Sequence, residues 1–275
     1  MSISRLMQMG AAGYLEIDPW TDPDLANASY DSVSFSVAGE DGTPVDFFFK
    51  DDGTKLYVCG ANNDRVFQYT LSSAWDMSTA SYDSVSFDFS SQSINPRGLQ
   101  FKSDGEKMYV SDTSDNVYQY SLSTAWDLTT ASYDSVSASV QIDSNSGSTF
   151  SSDGLNYYSV GPSDTIYQYN LSTAWDVSTA TSSGNTFVTT SQEASPVGLS
   201  FNPDGTKMWV VGYGGDSVYQ YSLSTAWNVS TASYDLVSFS VSSQDTTPYG
   251  IQFKSDGSKM YIIGLDTDTI YQYST

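Results

Sequence analysis

The chain has 275 residues, 39% apolar and 15% aromatic, enough to bury a substantial core. Its 32 Asp and Glu against 10 Lys and Arg give a net charge of −22, which repels nucleic-acid backbones and anionic membrane surfaces. There is no histidine and only one cysteine, which removes the commonest general base, the usual catalytic triads, most zinc sites and any intrachain disulfide.

Residues 1–13, MSISRLMQMGAAG, hold one Arg and no apolar run of secretory-leader length. Ile3, Leu6, Met7 and Met9 there form a candidate anchoring peptide, with residues 10–13 as a hinge. No stretch of the chain approaches the roughly 20 apolar residues of a membrane span, so membrane insertion is not expected. Residues 29–37, SYDSVSFSV, alternate with period two and read as a strand. From there a unit of about 51 residues repeats. Its Gln markers are Gln68, Gln119, Gln168, Gln220 and Gln272, and its turn glycines are Gly53, Gly105, Gly154, Gly205 and Gly257.

One unit shows the pattern. Residues 97–102 (RGLQFK) form strand A, SDGE turns, and residues 107–112 (KMYVSD) return as strand B. Residues 117–123 (VYQYSLS) form strand C. A loop, TAWDLTTA, leads to strand D at residues 132–140, SYDSVSASV. Cys59 falls in a strand, LYVCG, and reads as a buried structural thiol. Four antiparallel strands in about 51 residues, repeated, predict an all-β fold: a five-bladed β-propeller over residues 14–275. The fifth unit ends before its D strand, and residues 29–37 supply the missing one. That pairing would close the ring and leave no raw edge. Trp20 stands near the place of a fifth loop tryptophan, in a looser match than Trp75, Trp126, Trp175 and Trp227.

Strand alternation assigns the A–B turns and C–D loops to one face. That face is nearly constant from unit to unit (SDGEK, PDGTK; STAWD, STAWN). The D–A and B–C loops lie on the other face and differ, and differing loops are where binding usually sits. Candidate ligand-binding residues on that face are Asp46, which replaces a glycine of the other units, Arg97 and Tyr249 at the pore mouth, Glu193 in SQEASP and Tyr213 in GYGGDS. Trp209, Tyr213 and Tyr249 are candidate sugar-stacking rings. No dedicated calcium-loop spacing is present, and neither metal nor cofactor is expected. A glycoside hydrolase reading would need two carboxylates roughly 5–10 Å apart, for which Asp46 and Glu193 are the candidate pair.

The pattern P-x-G-L-x-F-x-x-D-G-x-K-M-Y-V followed by V-Y-Q-Y resembles the SPDG-type propeller repeats of surface-layer and lactonase-like proteins, over residues 27–275. The variant L-S-T-A-W-D-x-S-T-A-S-Y is similar to repeats in virion proteins of marine tailed phages, and SISRLMQMGAAG resembles the openings of their structural proteins. The resemblance implies a non-enzymatic virion protein, as a tail fibre, a neck component or a capsid decoration. It would dock to other virion proteins through its N-terminus and present the variable face to cell-surface glycans or proteins. A free lectin and a hydrolase are the alternatives.

Overall fold

A computed structural model of the chain describes residues 20–142, 147–161 and 163–275, and the backbone of two short paired strands, Gln8–Met9 and Leu15–Glu16. The remainder is five antiparallel four-stranded sheets. From the centre outward, blade 1 is Pro44–Phe49, Lys55–Gly60, Arg65–Leu71 and Ala80–Asp88. Blade 2 is Pro96–Phe101, Lys107–Asp112, Asn116–Leu122 and Ala131–Ser139. Blade 3 is Ser148–Phe150, Asn156–Gly161, Thr165–Leu171 and Ala180–Val188. Blade 4 is Pro196–Phe201, Lys207–Gly212, Ser217–Leu223 and Ala232–Ser240. Blade 5 is Pro248–Phe253, Lys259–Gly264 and Thr269–Ser274, completed by Ser29–Ser36 from the other end of the chain. Each inner strand touches the inner strands of both neighbouring blades, so the ring closes as the repeat predicts.

The repeated residues are the joints between blades. The glutamine of the third strand spans four of the five junctions. Its Oε1 accepts from the loop of the next blade: Gln68 from Leu128 N, Gln119 from Val177 N, Gln168 from Val229 N and Gln272 from Met77 N. A second-strand tyrosine donates across the same junction to a tryptophan carbonyl, as Tyr57 does to Trp126 at 2.6 Å and Tyr158 to Trp227 at 2.7 Å. Those tryptophans adopt positive φ, between 64° and 66°, and each indole lies on the turn glycine of its own blade. A Cβ at Gly53, Gly105, Gly154 or Gly205 would collide with it. The loop tryptophans are therefore packing plates.

The outer strand carries a bulge in every blade, with Ser32, Ser84, Ser135, Gly184 or Leu236 at positive φ. The bulge turns the preceding side chain back over the sheet. In blade 1, Asp83 there accepts from Lys55 Nζ (2.7 Å), Gln68 Nε2 (2.8 Å) and Thr70 Oγ1 (2.7 Å). Asp31, Asp134 and Asp235 repeat this network in blades 5, 2 and 4. Burial pushes these carboxyls up, but the donors outweigh it and hold all four below the ordinary carboxylate value. Blade 3 drops both charges together: Asn156 replaces the lysine and Ser183 the aspartate, and Gln168 Nε2 donates to Asn156 Oδ1 at 3.0 Å.

The junction of blades 4 and 5 differs because its loop comes from the N-terminal segment. Trp209 replaces the tyrosine there, donates to Gln220 Oε1 at 3.2 Å and packs against Trp20, with ring centroids 6.2 Å apart. Trp20 is thus not a fifth glycine cover. The group that would meet a Cβ at Gly257 is the Thr21 carbonyl.

Candidate functional site

The variable face is built on buried carboxylates that hold its loops. Glu193 is 0% exposed, and its Oε1 accepts from Ser195 N (2.7 Å) and Gly214 N (2.9 Å), its Oε2 from Gly215 N (3.1 Å). One carboxylate thereby fastens the D–A loop of blade 4 to its B–C loop. Burial holds its pKa above the ordinary value, against the pull of the three amides. Asp41 does the same in blade 1, accepting from Thr43, Asn62 and Asn63, and Asp245 in blade 5, accepting from Thr247 and Thr267. Beside each clamp the second strand ends in glycine. A Cβ at Gly60, Gly212 or Gly264 would run into Asp41, Glu193 or Asp245 respectively. Blade 2 inverts the pair. Ser93 stands at the loop position, and Asp112 replaces the glycine and caps the turn from inside, accepting from Ser114 N (2.9 Å) and Asn116 N (3.3 Å).

These clamps correct the expectation for Glu193. It is no ligand-facing acid, because none of it reaches solvent and both oxygens are engaged. Asp41, Asp112 and Asp245, 2–3% exposed, are likewise loop framework and not surface charge.

Asp46 is also structural where a pore-mouth ligand was expected. It is 8% exposed, with Oδ1 accepting from Phe47 N (2.9 Å) and Oδ2 from Leu99 N (2.8 Å). It therefore joins the inner strands of blades 1 and 2. Burial pushes its carboxyl up to about 7, against the pull of the two amides. With both candidate carboxylates committed to backbone amides, the hydrolase pair has no free oxygen facing solvent.

Tyr213 and Tyr249 do come together, stacked with centroids 6.4 Å apart and planes 17° from parallel. Arg97 lies close enough to lower the phenol pKa of Tyr249, against a larger rise from burial, and it also donates to the Pro96 carbonyl at 2.8 Å. Tyr213 is 36% exposed and Tyr249 only 6%, so the face offers one ring to solvent with a second behind it. Trp209 is fully buried at a blade junction and cannot stack on a ligand. Ile3, Leu6 and Met7 lie outside the described residues. For Met9 only the backbone, in its two-residue strand, is described. Among the described residues no cluster of three or more His, Cys, Asp or Glu is placed to hold a metal. Cys59 is fully buried, and burial raises its thiol well above the ordinary value, which suits a structural role.

Sequence reasoning missed the central channel. It holds about 360 Å³. Val45, Val197 and Tyr249 line its variable-face end and are 2%, 2% and 6% exposed. At the other end Asp51, Ser103, Ser152, Pro203 and Ser255, one turn residue per blade, are exposed. The channel thus opens on the constant face. Period-two alternation marks which inner-strand residues face it. Which end is plugged depends on side-chain bulk at the mouth.

The fold defines a five-bladed β-propeller with one constant and one variable loop face. Solved structures similar to the chain include a Bacteroides uniformis protein assigned as a 6-phosphogluconolactonase (14% identity, TM-score 0.48, covering 81% of this chain and 64% of that one). Another is the propeller domain of Cps50 (Swd1) from Myceliophteria thermophila (11% identity, TM-score 0.43, covering 81% and 67%). At these values neither likeness bears on what the chain does. No family model and no curated protein matches it.

Proposed function

We propose that the protein is a non-enzymatic binding propeller of a virion, as a tail fibre, neck or capsid-decoration component, docked through its N-terminal segment with the variable face outward. The observation that carries this orientation is a hydrogen bond, Thr21 N to the Asp256 carbonyl at 2.9 Å. It ties the N-terminal segment to an A–B turn, on the constant face. A tether there directs the unlike loops away from the particle. The engagement of Asp46 and Glu193 by backbone amides favours binding over hydrolysis. The Tyr213–Tyr249 pair beside Arg97 is the surface suited to a glycan ring or a protein side chain.

Deleting residues 1–13 tests the tether. The variant should keep the wild-type melting temperature and lose incorporation into particles; full incorporation overturns the reading. On a glycan and host-protein array, Tyr213→Ala should abolish at least one signal that the wild type gives; a variant with every signal unchanged removes Tyr213 from the site.

A further inference from the structure

The central channel is untouched by that reading and opens on the opposite face. Halfway along it the wall is one residue from each inner strand: Phe48, Gln100, Thr149, Ser200 and Gln252, all half-buried. This ring carries no charge. Gln252 commits its Oε1 to the Phe49 amide at 2.8 Å, and Gln100 Oε1 lies 3.4 Å from the Thr149 hydroxyl. Among the described residues, both carboxamide nitrogens and the Ser200 hydroxyl have no protein partner.

The mouth is acidic. Lys50, Lys102 and Lys254 are paired with Asp52, Asp104 and Asp256 of their own turns, which leaves Asp51, Asp153 and Asp204 without a cation partner among the described residues; of these Asp51 lines the channel. We propose that the channel binds a neutral polyhydroxylated ligand, one sugar unit, entering from the constant face. The volume lies within the range of small-molecule pockets. A hydroxylated ring can use the amide and hydroxyl groups of four blades while an apolar face rests on Phe48. An anion would meet a strongly negative protein and no basic group in the lining. A cation would find only Asp46, already shared between two amides, and the exposed Asp51. A purely apolar ligand would strip water from the carboxamides without replacing its hydrogen bonds.

The test is ligand-observed NMR and calorimetric titration with D-glucose, D-galactose, D-mannose and N-acetyl-D-glucosamine, with D-glucuronate as the anionic control. At least one neutral sugar should bind, and at least tenfold more tightly than glucuronate. Ser200→Phe places in blade 4 the residue that blade 1 carries at the same height. It should weaken binding at least tenfold without changing the melting temperature, and Thr149→Phe should repeat the effect from blade 3. The proposal is overturned if none of the four neutral sugars binds, or if both channel-filling variants bind as the wild type does. The latter outcome would move the sugar to the variable face.

Discussion

Asp46 accepts the Leu99 amide at 2.8 Å, so one carboxylate holds the inner strands of two neighbouring blades together from inside the ring. The other blades have glycine at this position, Gly98, Gly147, Gly198 and Gly250. A Cβ at Gly250 would meet Asp46 itself. Blade 1 thus places a titratable group where its neighbours leave room for one.

A pH dependence follows. The folded carboxyl titrates near pH 7 and the unfolded one near 3.8. Between these values the folded chain keeps a proton that the unfolded chain has lost, so this group's contribution falls as pH rises and is gone above about 7. The full difference is at most about 4 kcal/mol. Asp31, Asp83, Asp134 and Asp235 act in the opposite sense. Their lowered values add stability above the ordinary carboxylate range, and it is lost as pH falls through their folded values. Melting temperature should therefore peak in mildly acidic buffer, and Asp46→Asn should flatten the decline from pH 5 to pH 8. An unchanged slope in that variant would mean that Asp46 does not carry it.

The inverted clamp of blade 2 predicts a rescue. Asp112→Gly removes the acceptor for Ser114 N and Asn116 N and should cost about 1–3 kcal/mol. Ser93→Asp alone crowds a second carboxylate against the first and should also destabilise. Together the two substitutions rebuild the arrangement of Asp41 beside Gly60, and denaturant titration should show a coupling of about 1 kcal/mol or more. Additive losses would separate the two positions.

Blade 3 predicts a second cycle. Asn156→Lys or Ser183→Asp alone brings in a charge without its partner, whereas the double variant recreates the pair that Lys55 makes with Asp83 at 2.7 Å. Both side chains of that pair are partly exposed, so the coupling should be modest, about 0.5–1 kcal/mol.

Two tyrosines of blade 2 should respond differently to loss of the hydroxyl. Tyr109 donates to the Trp175 carbonyl across a junction, and Tyr109→Phe should cost about 1 kcal/mol. The Tyr120 hydroxyl is buried without a partner, so Tyr120→Phe should be neutral or stabilising in the same melt. Equal losses would show that Tyr120 has an acceptor after all.

The ring was readable in the sequence because each junction sets nearly the same packing problem. Gln68, Gln119, Gln168 and Gln272 reappear with one role, and a period-two strand at residues 29–37 has one place to go. The site was less readable because an acidic residue in a loop looks the same whether it meets solvent or the backbone. Asp46 was singled out for its difference from the glycines of the other units and Glu193 as one of the chain's few glutamates on the variable face, and both turned out to serve the framework. A usable signal was present in the coupled exchange of Asp41, Glu193 and Asp245 with Gly60, Gly212 and Gly264, which blade 2 reverses as Ser93 with Asp112. Tyr213 and Tyr249 meet because they stand on the neighbouring blades 4 and 5, and Arg97 acts on Tyr249 from blade 2.

The seam that shuts the ring pairs Ser29 with Ser274, so the chain enters and leaves this sheet at the same end. Tension applied to the two ends would open the seam like a zip, one rung after another, instead of shearing all its rungs at once. Once the Thr21–Asp256 bond and the Trp20–Trp209 contact have given way, the first side-chain network inside the seam is that of Asp31, which grips Lys259, Gln272 and Ser274 together. Under load, the seam's own resistance would begin at a carboxylate two residues inside its opening strand.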